Sequence, residues 1–226
     1  MKIAVSGTHC TGKSTFINDF LKTWKNYETP KQSYRDVIKE KNLLHSKEGT
    51  EESQRLILDA LCDQLQQYSK SDNVILDRCV LDNLAYSSWL NLNNKVSEKF
   101  LDECRLIVRE SLKLLDIIFF IPLTRVAPVE FEKDELREDD LIYRQEIDNI
   151  FKVFVQSYHQ GDGRVFAKDD APPIIEIFGN PEERIKMVQL YLNEDGKQYG
   201  EDQSLISDIY TGDAYVGEDK PRLSDF

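Results

Sequence analysis

Cysteine is scarce and scattered. Cys10, Cys62, Cys79 and Cys104 are the four in 226 residues, with no Cys-x-x-Cys pair and no Cys/His cluster. That excludes a structural zinc module and a disulfide scaffold, and it predicts reduced thiols in a cytoplasmic chain. Long apolar runs are missing too, so no membrane span or membrane partner is expected. The N-terminal stretch Ile3-Ala4-Val5 is too short for the core of a signal peptide. Positive charge is in deficit, with 29 Lys and Arg against 41 Asp and Glu, a net charge of -12. Non-specific nucleic-acid binding needs many cations on one face, so nucleic acid is disfavoured as a partner, although a local basic cleft can coexist with an acidic whole. A small phosphorylated or phosphorylatable molecule fits this balance better. There is no internal repeat, and 40% hydrophobic with 31% charged residues describes a globular chain.

What is present is an alternation of short apolar runs and amphipathic stretches. Residues 2–6 (KIAVS) predict a buried strand, and residues 14–25 a helix carrying Phe16, Ile17, Phe20, Leu21 and Trp24 on one stripe. Helices are expected over 34–41 and 51–68, the second with Leu56, Ile57, Leu61 and Leu65 at three- and four-residue steps. Val74-Ile75-Leu76 is the second strand; helices follow over 81–90 and 96–115. Ile117-Ile118-Phe119-Phe120-Ile121 is the third strand, stopped by Pro122; after a charged stretch comes a helix over 140–158. Ile174-Ile175-Glu176-Ile177 is the fourth strand, before a helix over 181–192, and residues 27–33 are a weaker strand candidate. Continuous apolar strands alternating with helices indicate an α/β fold with a parallel sheet covered on both faces. One domain is expected over 1–192. An acidic, extended tail, whose tyrosines and Ile206, Ile209 and Phe226 could dock, is expected over 193–226.

The segment Gly7-Thr8-His9-Cys10-Thr11-Gly12-Lys13-Ser14 has the Gly-x4-Gly-Lys-Ser spacing of a phosphate-binding loop, between a strand and a helix as that mechanism requires. Gly7 and Gly12 let successive N–H groups point inward at a phosphate, and the helix N-terminus adds its dipole. Lys13 reaches the β- and γ-phosphates and the Ser14 hydroxyl ligates Mg2+, with Thr15 next in the same turn, so the expected cofactors are ATP and Mg2+. Asp77-Arg78 stands at the carboxyl end of the second strand, the edge where doubly wound sheets bind ligands. Asp77 suits Mg2+ coordination or proton transfer from an attacking hydroxyl, and Arg78 suits a phosphate.

From Asp77 to Tyr86 the chain reads Asp-Arg-Cys-Val-Leu-Asp-Asn-Leu-Ala-Tyr, which resembles the Asp-Arg-x-x-x-(D/S)-x-x-Ala-Tyr motif of thymidylate kinase-like P-loop proteins. The later Ile121-Pro122, Asp134-Glu135-Leu136-Arg137 and Tyr143-Arg144 resemble the lid region of ribosylnicotinamide-kinase-like ATPases. The resemblance covers roughly residues 1–192 and implies a P-loop NTPase three-layer sandwich with an Arg-bearing lid. It implies functional positions at Lys13, Ser14, Asp77, Arg78, Arg137 and Arg144. Tyr34-Arg35 resembles a remnant of the substrate-side Glu-x-x-Arg pattern, so Arg35 joins Arg78 and Tyr86 on the substrate side. His9 stands where thymidylate kinases carry Asp, and their Arg-Glu-Pro has no match, so the resemblance implies the scaffold without thymidylate specificity.

Residues 125–146 place Arg125, Lys133, Arg137 and Arg144 among many acids after the third strand. A mobile cationic segment closing over the loop would stabilise a migrating phosphoryl group and exclude water. The expected activity is a Mg-ATP-dependent phosphotransferase acting on a nucleoside, nucleotide or related small acceptor, and a homodimer is compatible with it. Two other functions share the motifs: a nucleotide-hydrolysing regulatory ATPase, and a kinase acting on a modified base or end in DNA.

Overall fold

Each of the four apolar runs forms a strand of one parallel sheet in the computed structural model, which describes residues 1–69, 72–124, 140–167 and 169–199. The strands are β1 (Lys2–Ser6), β2 (Val74–Asp77), β3 (Ile117–Phe120) and β4 (Ile174–Glu176), in the order β2-β1-β3-β4. Val5 of β1 lies opposite Asp77 on one side and Phe119 on the other, so the carboxyl ends of the three strands share one edge. The described helices are α1 (Lys13–Thr23), α2 (Tyr34–Glu40), α3 (Glu51–Gln67), α4 (Val80–Leu92), α5 (Glu98–Leu112), α6 (Leu141–His159) and α7 (Pro181–Val188).

Side chains alternate across a strand, and both faces here are apolar. Ala4, Leu76, Ile118 and Phe120 face a core built with α3, α4, α5 and α6. Ile3, Val5, Ile75 and Phe119 face the opposite core, with Phe16 and Phe20 of α1 and Val188 of α7. The result is a three-layer α/β sandwich of the P-loop kind. Burying Phe16 and Phe20 contributes about 3 kcal/mol apiece, which anchors α1 and fixes where its first turn points.

The helix ends follow capping chemistry more closely than apolar periodicity. Ser97 accepts a hydrogen bond from Phe100 N and starts α5 at Glu98, later than residue 96. Val80, not residue 81, begins α4 because Cys79 and Asp82 form a capping box. Residues 27–33 do not make a strand. Glu28 alone bridges to Val74, through Glu28 N to Asn73 O at 3.0 Å and Ile75 N to Glu28 O at 2.9 Å. Pro30 has no N–H to continue the ladder. Beyond residue 192, the described residues 193–199 fold back on the end of α1, where Trp24 Nε1 donates to Asn193 O and Tyr27 OH to Gly196 O.

Candidate functional site

The chain leaves β1 at Ser6 and turns through residues 7–12 into α1. Gly7 has a φ of 141°, and a Cβ there would stand 2.5 Å from Ile121 O, so the loop lies against the end of β3 only because position 7 is glycine. Gly12 precedes α1 in the left-handed region at φ 83°, and α1 begins with no capping side chain. Its first-turn N–H groups therefore face the loop as the anion-binding end of the helix. Cys10 also holds a positive φ, 58°, a conformation costly for a residue with a Cβ.

Lys13 is buried and donates from Nζ to Gly7 O at 2.9 Å and to Thr8 O. Burial, reinforced by the nearby Arg78 cation, lowers its pKa to about 7. Ser14 and Thr15 are exposed in the first turn of α1. His9 is buried, with Nδ1 3.4 Å from Tyr86 OH. Thr11 turns its hydroxyl back to Thr8 O at 3.2 Å.

Arg78, at φ 77°, is the hinge between β2 and α4. Its guanidinium is buried and donates to Tyr34 OH at 2.9 Å, Gly7 O at 3.2 Å, Asp82 Oδ1 at 2.8 Å and Tyr86 OH at 3.4 Å. It also lies 5.2 Å from the centres of both tyrosine rings. Burial opposes that charge, yet Tyr34, Tyr86 and Asp82 hold its pKa well above the ordinary value. Asp82, the (D/S) position of the motif that the chain resembles, is the hub, a role that the sequence did not assign to it. Its carboxylate accepts from Ser6 Oγ at 2.8 Å, Gly7 N at 3.3 Å and Cys79 N at 3.1 Å as well as from Arg78. The signal was the Cys79-x-x-Asp82 capping spacing, four residues after the arginine in the case of Asp82.

Asp77 lies opposite Val5 at the strand edge, and its Oδ1 is buried with no hydrogen-bond partner among the described residues. It interacts electrostatically with both Lys13 and Arg35. A carboxylate oxygen without a hydrogen-bond partner among the described residues and the exposed Ser14 hydroxyl are hard oxygen donors, which fit a Mg2+ ion.

Beside the loop, α2, α3 and α4 enclose a cavity whose walls include His9, Tyr34, Arg35, Arg78 and Tyr86. Ile38, Ile57 and Leu61 make its apolar side. Asn83 and Gln54 also line it: Asn83 Nδ2 donates to Gln54 O and Oε1, both at 3.0 Å, and Ser87 Oγ to the same Oε1 at 3.4 Å. Asn83 Oδ1 is buried without a hydrogen-bond partner among the described residues. Neither amide carried a motif; both are polar positions within helical stripes. The structure thus brings the expected Arg35, Arg78 and Tyr86 together with the loop.

Arg137, with Arg125 and Lys133, lies outside the described residues. Arg144 is buried on α6 and donates from Nη2 to Cys10 O at 3.0 Å. Arg184 of α7, absent from the sequence reading, is also buried against the loop, with Nη1 2.8 Å from Thr11 O. No helix among the described residues is long and apolar enough to cross a membrane.

A family model described as an AAA domain matches residues 2–160. No curated protein matches the chain in sequence. Among solved structures, deoxyadenosine kinase from M. mycoides with bound dATP superposes with a TM-score of 0.61 at 20% identity, covering 84% of this chain and 97% of that one. Thymidylate kinase from Candida albicans gives 0.59 at 16% identity, covering 88% and 94%. NadR in complex with NR gives 0.56 at 15% identity, covering 98% of this chain and 53% of that one, so the chain spans about half of NadR.

Proposed function

The chain belongs to the AAA-domain family, and on that premise we propose that it is a cytoplasmic phosphotransferase that moves the γ-phosphate of Mg-ATP to a small nucleoside-like acceptor. The observation that carries this reading is the shared wall between the phosphate loop and the cavity. His9 belongs to both, Arg78 lines the cavity and donates to Gly7 O of the loop, and Asp77 interacts electrostatically with Lys13 and with Arg35. A donor site and an acceptor site that share a wall are what phosphoryl transfer needs, because catalysis there is mostly positioning and charge stabilisation.

In this reading the loop N–H groups hold the β-phosphate, and Lys13 leaves its loop carbonyls for the β- and γ-phosphates. Ser14 and Asp77 would hold Mg2+, which when bound would supply positive charge against the phosphates. Asp77 is equally suited to accept the proton of the acceptor hydroxyl. Arg144, and Arg137 from the proposed lid, add positive charge around the migrating group. Tyr34, Tyr86 and the apolar side hold a flat ring. With its oxygen taken by Asn83 and Ser87, the Gln54 amide has hydrogens to offer, while Asn83 offers Oδ1. That pair suits a base or carboxamide edge with one donor beside one acceptor. The deoxyadenosine kinase, thymidylate kinase and NadR likenesses make deoxynucleosides, thymidylate and NR the first acceptors to assay.

Incubating the protein with Mg-ATP and a panel of nucleosides, nucleoside monophosphates and ribosylnicotinamide tests the proposal. The expected result is ADP release that depends on an acceptor, with a phosphorylated product seen by mass spectrometry. ATP hydrolysis indifferent to every acceptor would instead make this a regulatory ATPase.

A further inference from the structure

Across residues 7–12, side-chain cations and the helix take up five of the six carbonyls, a pattern that no motif describes. Gly7 O accepts from Lys13 and Arg78, Thr8 O from Lys13, Cys10 O from Arg144, and Thr11 O from Arg184. Gly12 O accepts from Phe16 N within α1. A trans peptide is planar, so the carbonyl of one residue and the N–H of the next point in opposite directions. The described chain has no cis peptide bonds. Pinning Thr11 O on one side therefore turns the Gly12 N–H to the other.

We propose that Arg184 is a positioning residue for nucleotide binding, which holds the Thr11 carbonyl from α7 and so aims the Gly12 N–H into the phosphate cradle. The proposal rests on reading residues 7–14 as the phosphate site. Arg184 is 5% exposed, and its Nε also donates to Gly179 O at 3.0 Å. Its hydrogen-bond partners are backbone carbonyls, and burial alone lowers its pKa. Holding a cation in the interior against neutral carbonyls disfavours folding. A polyphosphate across the same peptide supplies the opposite charge and makes that arrangement favourable. Docking of α7 does not account for it, because Val188 and Leu192, 0% and 1% exposed, already fix the helix and the chain after it to the core.

The test is titration calorimetry of the full chain with ADP and with tripolyphosphate, alongside thermal unfolding. Arg184→Met should weaken both ligands about tenfold, the low end of the value of one charge-assisted hydrogen bond. Arg184→Lys, with one ammonium for two carbonyls, should recover part of that loss. Val188→Ala should lower Tm while leaving ADP affinity within about twofold of wild type. If Arg184→Met does not fold, Arg184→Lys carries the test with an expected loss of about threefold. Full ADP affinity in a folded Arg184 variant overturns the proposal. So does an equal affinity loss in Val188→Ala, which would make Arg184 a mere brace for α7. A wild-type protein that binds neither ligand overturns the phosphate-site reading along with it.

Discussion

Raising the pH should strip Lys13 of its charge before a nucleotide binds, and the nucleotide should restore it. Burial and the Arg78 cation lower the Lys13 pKa to about 7 from an ordinary 10.5. At pH 8 such a lysine is about one-tenth protonated, whereas beside a polyphosphate its charged form is strongly favoured. Binding of ADP should therefore take up about 0.9 proton at pH 8 and about 0.1 at pH 6. Affinity should fall by up to about tenfold, or 1.4 kcal/mol, for each pH unit above 8. Calorimetry in two buffers of different ionisation enthalpy, at pH 8 and above where the nucleotide is itself fully ionised, counts the protons. Lys13→Arg supplies the control, because a guanidinium does not deprotonate. Uptake below about 0.3 proton at pH 8, with affinity flat up to pH 9, would refute the reasoning. The sign for folding is also defined. Between about 7 and 10.5 the unfolded chain binds the proton that folded Lys13 has lost, so this group makes stability rise with pH across that window.

Asp82→Ala should cost about 3–5 kcal/mol in denaturant unfolding, because it leaves the Arg78 cation buried without its carboxylate; a loss under about 1 kcal/mol would show that the tyrosines suffice. Asn83→Leu should raise KM for the acceptor about tenfold or more and leave KM for ATP unchanged, since the amide pair lines the cavity and is bonded within α3 and α4; equal changes in both would move it out of acceptor recognition. Arg137→Ala should lower kcat more than it weakens ATP binding, measured by steady-state kinetics and calorimetry, and an unchanged kcat would leave Arg137 a surface charge.

The sheet was legible because its strands are buried on both faces and read as apolar runs, broken in β4 only by the exposed Glu176. Helix starts were less so: Ser97 and Cys79 decide them through hydrogen bonds that periodicity does not register. Glu28 illustrates a different limit, since one residue bridging to Val74 leaves no alternating pattern to find. In the site, the loop and Asp77-Arg78 could be read because their chemistry depends on contiguous residues. Gln54, Asn83 and Arg184 could not, because what distinguishes each is a partner far along the chain or an atom without one: Gln54 for Asn83, Thr11 for Arg184. A lone Arg on the last helix and a Gln among apolar residues look like solvated surface until the fold brings them inside.

The same distinction explains how a chain of net charge -12 can present a site for an anion. Lys13, Arg78, Arg144 and Arg184 are all buried, and they reach the loop from α1, the β2–α4 hinge, α6 and α7. Among them, Arg78 is paired with Asp82, whose carboxylate also accepts from the loop at Gly7 N. Net charge counts every side chain equally, but a cation in a low-dielectric interior acts on a bound phosphate far more strongly than a solvated one. The acidic exterior and the cationic loop therefore answer to different physics. The exterior sets what the molecule repels at long range, and four inward-facing cations set what the loop can hold.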